Sequence, residues 1–270
     1  MKANKGAEAR AIEAMLGSEE MRDRFLATTF ALLARESDVL QKATPLSIVD
    51  AIKTAASMGL EPMTSDGAIV VYGNKATFLP MWQGYLKRIR NSGHVHEVDT
   101  QLVYEHDLFE LRLGTDPQID HVPAKIVKND DGEVIADRGG YLGAYAWALM
   151  ATGKYIIEFM SEDEINLIRD QYGNKKGPSP WQNAWGEMAR KTVLRRLAKR
   201  LPGEAVEKLL RVEAEVDRLQ DEVKETKDEM EGLRRLAYQA VSPTPTPQIA
   251  PEAPTAPEPV EPLTSPEAVA

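Results

Sequence analysis

Apolar and polar positions change period several times along the chain, and each change marks a candidate element. Residues 18–35 place Met21, Phe25, Phe30 and Leu33 at near-helical spacing behind Ser18, whose hydroxyl suits an N-cap ahead of Glu19 and Glu20. Residues 45–58 repeat the pattern, with Thr44 as cap, Pro45 in the first turn, Gly59 as stop and Ile48, Val49, Ile52 and Ala55 as the buried stripe. AIVVYGNKATFLP then reads as two short strands around Gly73-Asn74, a hairpin signal with Lys75 just past the turn. Residues 81–92 are helical in pattern and end at Gly93.

From His94 to Phe159 the chain is strand-like, with a Gly-Thr-Asp-Pro turn and another at Asp131-Gly132. Its short connections predict antiparallel pairing. Helix returns at Ser161-Glu162-Asp163-Glu164, a capping box, and at Ser179-Pro180-Trp181-Gln182, which joins a capping box to proline at the first helical position. The expected fold class is α+β, with helices around a central antiparallel sheet.

Beyond Pro202 a heptad runs through 205–240, with Leu209, Val216, Val223, Met230 and Ala237 at a and Val212, Leu219, Thr226, Leu233 and Ala240 at d. A parallel pair would set Lys208 against Glu213, Glu222 against Lys227 and Glu229 against Arg234, all attractive. The same stripe also suits a helix folded back on its own body. From Val241 onward nine prolines and no Lys or Arg predict a disordered tail. The expected division is a body at 1–202, an acidic heptad helix at 203–240 as candidate coiled coil, and a Pro-rich tail at 241–270.

Composition narrows the class. The 270 residues contain 33 Lys+Arg, 42 Asp+Glu and no cysteine, which removes disulfide scaffolds, thiolate zinc sites and cysteine nucleophiles. No apolar run reaches the roughly 18 residues of a membrane helix, and MKANKGAEAR lacks the apolar core of a signal peptide, so a cytoplasmic setting without membrane contact is expected. The net charge of −9 is unevenly distributed. From Gly203 onward there are 7 basic and 15 acidic residues, leaving 26 and 27 before it. Two stretches run against the acidity: Lys87, Arg88 and Arg90, and Arg190, Lys191, Arg195, Arg196, Lys199 and Arg200 opposed by Glu187 alone.

The candidate chemistry follows from those stretches. Projected as one helix at 100° per residue, 181–201 places Val193, Leu194, Leu197 and Leu201 on one side. Roughly opposite lie Trp181, Met188, Lys191, Thr192, Arg195 and Lys199, flanked by Arg196 and Arg200. Cations four residues apart, about 6 Å along the axis, beside an aromatic ring and a thioether suit a phosphodiester backbone with stacked bases. A solvated charge face with Trp181 in the core is the alternative. Trp82, Gly84, Tyr85, Lys87, Arg88 and Arg90 repeat the theme, and a mid-helix glycine points to close backbone approach or helix–sheet packing. All four histidines, His94, His96, His106 and His121, fall within 28 residues, but nothing in their spacing requires three ligands to converge. The G-x-x-x-x-G-K-[ST] phosphate loop is missing, which argues against an ATP-driven recombinase.

The stretch LQKATPLSIVDAIKTAASMGLEP, Tyr72-Gly73 with Phe78, Gly84-Tyr85, Ser92-Gly93, and Trp181 followed by Met188-Ala189-Arg190-Lys191-Thr192-Val193-Leu194-Arg195 together resemble the RecT family of phage-type single-strand DNA annealing proteins. The resemblance covers about residues 18–201. It implies an ATP-independent, non-enzymatic protein that needs no cofactor or metal. Such a protein would coat single-stranded DNA, assemble as a homo-oligomeric ring or filament, and pair complementary strands through an annealed duplex intermediate. A partner exonuclease and the host single-strand-binding protein are further implied partners. Lys75 and Lys191 are then the foremost phosphate contacts, followed by Lys199, with Arg195 completing the face. Tyr85, Lys87, Arg88, Arg90, Trp181, Met188 and Arg196 complete the expected DNA-binding set. Gln83 and Asn91 stand where the family often carries basic residues. Rival readings are a passive single-strand-binding protein, a metal-dependent nuclease or phosphatase using the His94–His121 cluster, and an assembly protein built on the coiled coil.

Overall fold

The computed structural model describes residues 2–35, 37–128, 131–132, 134–172 and 179–241; the Pro-rich segment expected to be disordered lies outside them apart from Val241. The fold is α+β. Four helices come first: α1 (Lys2–Leu16), α2 (Glu19–Leu33), α3 (Ser37–Lys42) and α4 (Pro45–Ser57). The Ser18 hydroxyl accepts from Met21 N at 3.2 Å, and the Thr44 hydroxyl accepts from Ser47 N at 3.4 Å, as the cap motifs require. On α2 only part of the expected stripe is inside: Phe25 and Leu33 are buried, whereas Met21 and Phe30 are more than half exposed.

The hairpin of β1 (Gly67–Tyr72) and β2 (Lys75–Pro80) turns at Gly73, whose φ of +62° favours glycine. Its β2 strand packs on α4, where the Ser47 hydroxyl accepts from Ala76 N at 2.9 Å. Next comes α5 (Trp82–Arg90), where Gly84 permits the close approach its position implied: a Cβ there would collide with the backbone carbonyl of Asp66.

Among the described residues, four small antiparallel sheets take the place of a single central one. The largest orders β3 (Val95–Tyr104), β8 (Tyr141–Met150) and β9 (Tyr155–Ser161) as β3-β8-β9; the others are β1-β2, β4-β5 (Leu108–Arg112, Gln118–Val122) and β6-β7 (Val127–Lys128, Val134–Ala136). Side-chain alternation gives β3-β8-β9 two faces. One carries Val98, Leu102, Ala144, Ala146 and Ala148 into the main core, against the helices that follow: α6 (Glu162–Tyr172), α7 (Pro180–Asn183) and α8 (Trp185–Ala198). The alanines of β8 leave room for α8 to lie close. The reciprocal Ser161 and Glu164 bonds, 3.1 and 3.2 Å, start α6 as a capping box.

Over the other face folds the β4-β5 hairpin, with Phe109 stacked on Tyr145 and Phe159 at 5.6 and 5.4 Å. Asp107, its side chain fully buried, anchors this layer. It accepts from Arg138 Nε at 2.9 Å and Nη2 at 2.5 Å, from the backbone N–H groups of Tyr104 and Ala124 at 2.9 Å each, and pairs with His121 Nε2 at 3.0 Å. The Arg138 guanidinium, with these other donors, holds the carboxyl well below its ordinary range.

The last helix, α9 (Glu204–Val241), begins on the body: Val206 and Leu209 are fully buried in the main core, and Val216 and Leu219 are also buried. The chain divides into compact units at 1–226 and 227–270, so the boundary expected at 202 falls inside the first unit. The early heptads are used for docking on this chain's own body, because their a and d side chains meet its open core. In the second unit Met230 and Leu233 are exposed.

Two outcomes follow. Asp107→Asn should lower stability by about 3–5 kcal/mol, since it strands a partly buried arginine. A depressed folded pKa means that the wild-type contribution is complete above the ordinary value of 3.8 and is lost as pH falls below it; acid denaturation should therefore be shallower in the variant. Ending the chain after Leu201 should cost about 1.5–3 kcal/mol for each of Val206 and Leu209, read by chemical denaturation.

Candidate nucleic-acid interface

The helix expected from Trp181 to Leu201 is two helices. Ala184, at φ −144° and ψ 46°, breaks it between α7 and α8. Ser179 caps α7 and Trp181 turns into the core at 9% exposure, so it offers no ring to a ligand. Trp185 instead heads α8 and lies, in helical projection, on the face shared by Met188, Thr192, Arg196 and Lys199. Ala189, Val193, Leu194, Leu197 and Ala198 pack inward. Met188 is half-buried, and Arg196 and Lys199 are exposed.

Lys191 departs most from expectation. It is 8% exposed, with Nζ 2.9 Å from Oε1 of Glu213, itself 2% exposed on α9. Arg195 pairs through both terminal nitrogens with Asp217, one bond measuring 3.1 Å, and approaches Glu213 at 3.8 Å. Burial would lower the Arg195 pKa, but the Asp217 hydrogen bond and the charges of Glu213 and Asp217 outweigh it and raise the pKa. Tyr85 is fully buried in the same region, and burial pushes its phenol up. The acidic residues of α9 thus cover part of the cationic face that the sequence exposed.

The remaining basic residues divide by neighbourhood. Lys75, exposed at the start of β2, meets Glu215 of α9 at 3.2 Å, while Tyr72 beside it accepts from Gln220 Nε2 at 2.8 Å. Arg88 donates to the Ala205 carbonyl at 3.3 Å, and burial lowers its pKa. Lys87 pairs with Asp66 at 2.6 Å, and Arg90 donates to the Val98 carbonyl at 2.9 Å. Across α8, Arg196 meets Glu164 at 3.0 Å and Glu158 at 3.4 Å, and Arg200 pairs with Glu158 and donates to the Ile157 carbonyl at 3.1 Å. Lys199 is exposed at the end of the ridge and has no ion pair among the described residues.

The histidines are dispersed among other tasks. His121 joins Asp107 and the Tyr145 hydroxyl, His106 Nδ1 lies 3.0 Å from the Asp137 carbonyl, and His94 packs against Gly203. Among the described residues, no three or more His, Asp or Glu side chains form a group able to hold a metal ion. No described helix is long and apolar enough to cross a membrane.

A helix laid on an antiparallel sheet, with a solvated cationic ridge along it, defines this α+β protein. The chain belongs to the RecT family, whose sequence pattern matches residues 23–230. It is 30% identical over 180 residues to Protein RecT of Escherichia coli K12, covering 62% of each chain. It is also 24% identical over 174 residues to the uncharacterized protein YqaK of Bacillus subtilis 168, covering 64% of this chain and 56% of that one. The match thus spans less than two thirds of either relative. The family match extends past 201, so most of α9, which the sequence resemblance left outside, lies within the family region.

The buried pair predicts a measurable coupling. Lys191→Met or Glu213→Leu alone should cost about 3–5 kcal/mol by leaving a buried charge unpaired, whereas the double variant should regain most of that loss in denaturant unfolding.

Proposed function

We propose that this protein binds single-stranded DNA and anneals complementary strands in phage-type recombination, without nucleotide hydrolysis or bond chemistry. Membership of the RecT family supports the class, and the observation that carries the reading is the ridge of Met188, Thr192, Arg196 and Lys199 along α8 and its C-cap. Arg196 and Glu164 are each 47% exposed, and such solvated pairs contribute about 0–1 kcal/mol. Exchanging the carboxylate for a phosphate therefore costs little, and release of condensed counterions favours it. Lys191 and Glu213 are too buried to exchange in this way. Lys191, Tyr85 and Trp181 accordingly position the ridge, while Lys199, Arg196, Arg200 and, at the margins, Arg195, Lys75, Lys87, Arg88 and Arg90 meet the backbone.

Annealing needs no external energy, because stacking and pairing favour duplex by about 1.4 kcal/mol per step. The protein's contribution is kinetic: it neutralises phosphate repulsion and holds bases unpaired until a second strand arrives. Few nucleotides fit one ridge, so homo-oligomerisation supplies length and avidity. The exposed heptad residues Met230 and Leu233 offer a seam for pairing between copies. A cytoplasmic setting, with an exonuclease and a single-strand-binding protein as partners, fits this role.

The test uses complementary fluorophore- and quencher-labelled oligonucleotides with no nucleotide added. Rapid quenching is expected; a requirement for ATP rejects the reading, and binding without annealing leaves a passive single-strand-binding protein. Arg196→Ala and Lys199→Ala should each flatten the slope of log affinity against log salt by about 0.7. An unchanged slope in the folded double variant removes the ridge as the binding surface.

A further inference from the structure

Four aromatic rings remain partly exposed beside the head of α8, in contrast to the fully buried Phe78 and Tyr85. Trp185 stacks on Tyr141 with centroids 4.2 Å apart and planes 26° apart; Tyr141 meets Tyr104 at 5.0 Å; the Arg138 guanidinium lies 4.0 Å above Tyr104. Trp82, the first residue of α5, carries the Arg190 guanidinium 5.2 Å above its ring and donates its indole N–H to Glu187 in the first turn of α8. The Trp185 indole donates to Asn166 of α6 at 2.9 Å. Arg190 joins the two groups, because its charge also reaches the Tyr141 phenol and opposes the rise that burial imposes there.

The four rings pack against the edge of the hydrophobic core, and that packing leaves a polar group unmet. The Arg190 Nε is buried and has no hydrogen-bond partner among the described residues. Leaving such a donor unmet costs about 1–3 kcal/mol, a deficit removed when the partly exposed Arg190 side chain turns to an oxygen acceptor of a ligand. Moreover, α5 begins at Met81 without a capping side chain, so its first-turn N–H groups add positive potential, whereas Glu187 in the first turn of α8 offsets that helix's contribution. Partly exposed aromatic rings, a guanidinium short of an acceptor, and a ridge of cations leading toward them match one chemistry: an unpaired nucleobase with its oxygen acceptors.

We propose that Trp82, Tyr141, Trp185 and Arg190 form a nucleobase seat at the head of the α8 ridge. An unpaired base of the bound strand stacks against the indoles and presents an oxygen to Arg190, while Tyr104 and Arg138 buttress the ring column. The strand's phosphates continue along α8 toward Lys199. Aromatic stacking is tolerant of sequence, so the seat holds any strand without selecting one. This inference rests on the single-strand DNA reading above and adds contact to the bases, which a purely electrostatic ridge does not make.

The full chain is titrated at fixed salt with an oligothymidylate and with an abasic oligonucleotide of the same length, which carries equal phosphate charge but no bases. The seat predicts at least about fivefold tighter binding of the base-bearing strand, a preference lost in Trp185→Leu and Trp82→Leu and kept in Lys199→Ala, where both strands weaken together. Equal affinity for the two strands overturns the seat while leaving the ridge intact. Failure of both strands to bind overturns the single-strand DNA reading itself. Because a tryptophan variant can unfold, a second measurement uses the unaltered protein: photocrosslinking to a 5-bromouracil oligonucleotide should give adducts at Trp82, Tyr141 or Trp185. Adducts confined to other residues overturn the assignment.

Discussion

The pairing of Lys191 with Glu213 fixes what the rest of the surface can do. One is on α8 and the other on α9, and neither retains more than 8% of its exposure. Two charges withdrawn from water tolerate separation poorly, so the pair makes the placement of α9 specific even where it adds little net stability. Around it, Val206, Leu209, Val216 and Leu219 bury the apolar stripe of α9, and Asp217 and Glu215 reach Arg195 and Lys75. Helix α9 is thereby part of the folded body through residue 226.

That placement changes the meaning of the chain's acidity. Counted along the sequence, the excess of carboxylates after Gly203 looks like the property of a separate tail. In three dimensions several of those carboxylates are counter-ions of the body, and part of the basic stretch 190–200 is neutralised internally. What stays available is the side of α8 turned away from α9 and the residues just after it: Arg196 and Arg200 in exposed pairs, and Lys199 exposed with no ion pair among the described residues. Solvated pairs exchange partners cheaply whereas buried ones do not, so exposure, rather than charge count, separates an exchangeable cation from a structural one.

The two layers of the three-stranded sheet have distinct roles. The alanine-rich face of β8 lets α8 approach and so sets the height of the ridge. On the other face Asp107 gathers Arg138, His121 and two backbone donors into one knot beneath the β4-β5 hairpin. Arg138 connects the knot to the aromatic column, since the guanidinium that satisfies Asp107 also lies over Tyr104. The stability of that hairpin and the position of the rings near Trp185 therefore depend on a common set of contacts.

Local chemistry was legible in the sequence. Ser18, Thr44 with Pro45, Gly73, the Ser161–Glu164 capping box and Ser179 each sit where their hydrogen bonds or dihedral angles demand, because these effects act within a few residues. The α+β class and the exposure of Lys199, with Arg196 on its flank, followed from periodicity alone. The break at Ala184 did not, since alanine carries no helix-ending chemistry; it accompanies Trp181 entering the core and Trp185 stacking on Tyr141. Nor could a heptad reveal whether its stripe meets another copy or its own body, because an apolar surface does not name its partner. Tertiary structure alone decided which cations face water: Lys75 finds Glu215 across 140 residues, and Lys191 is covered by Glu213 on the following helix. The environment of a charge is set by whatever the fold brings beside it, and sequence distance carries no record of that meeting.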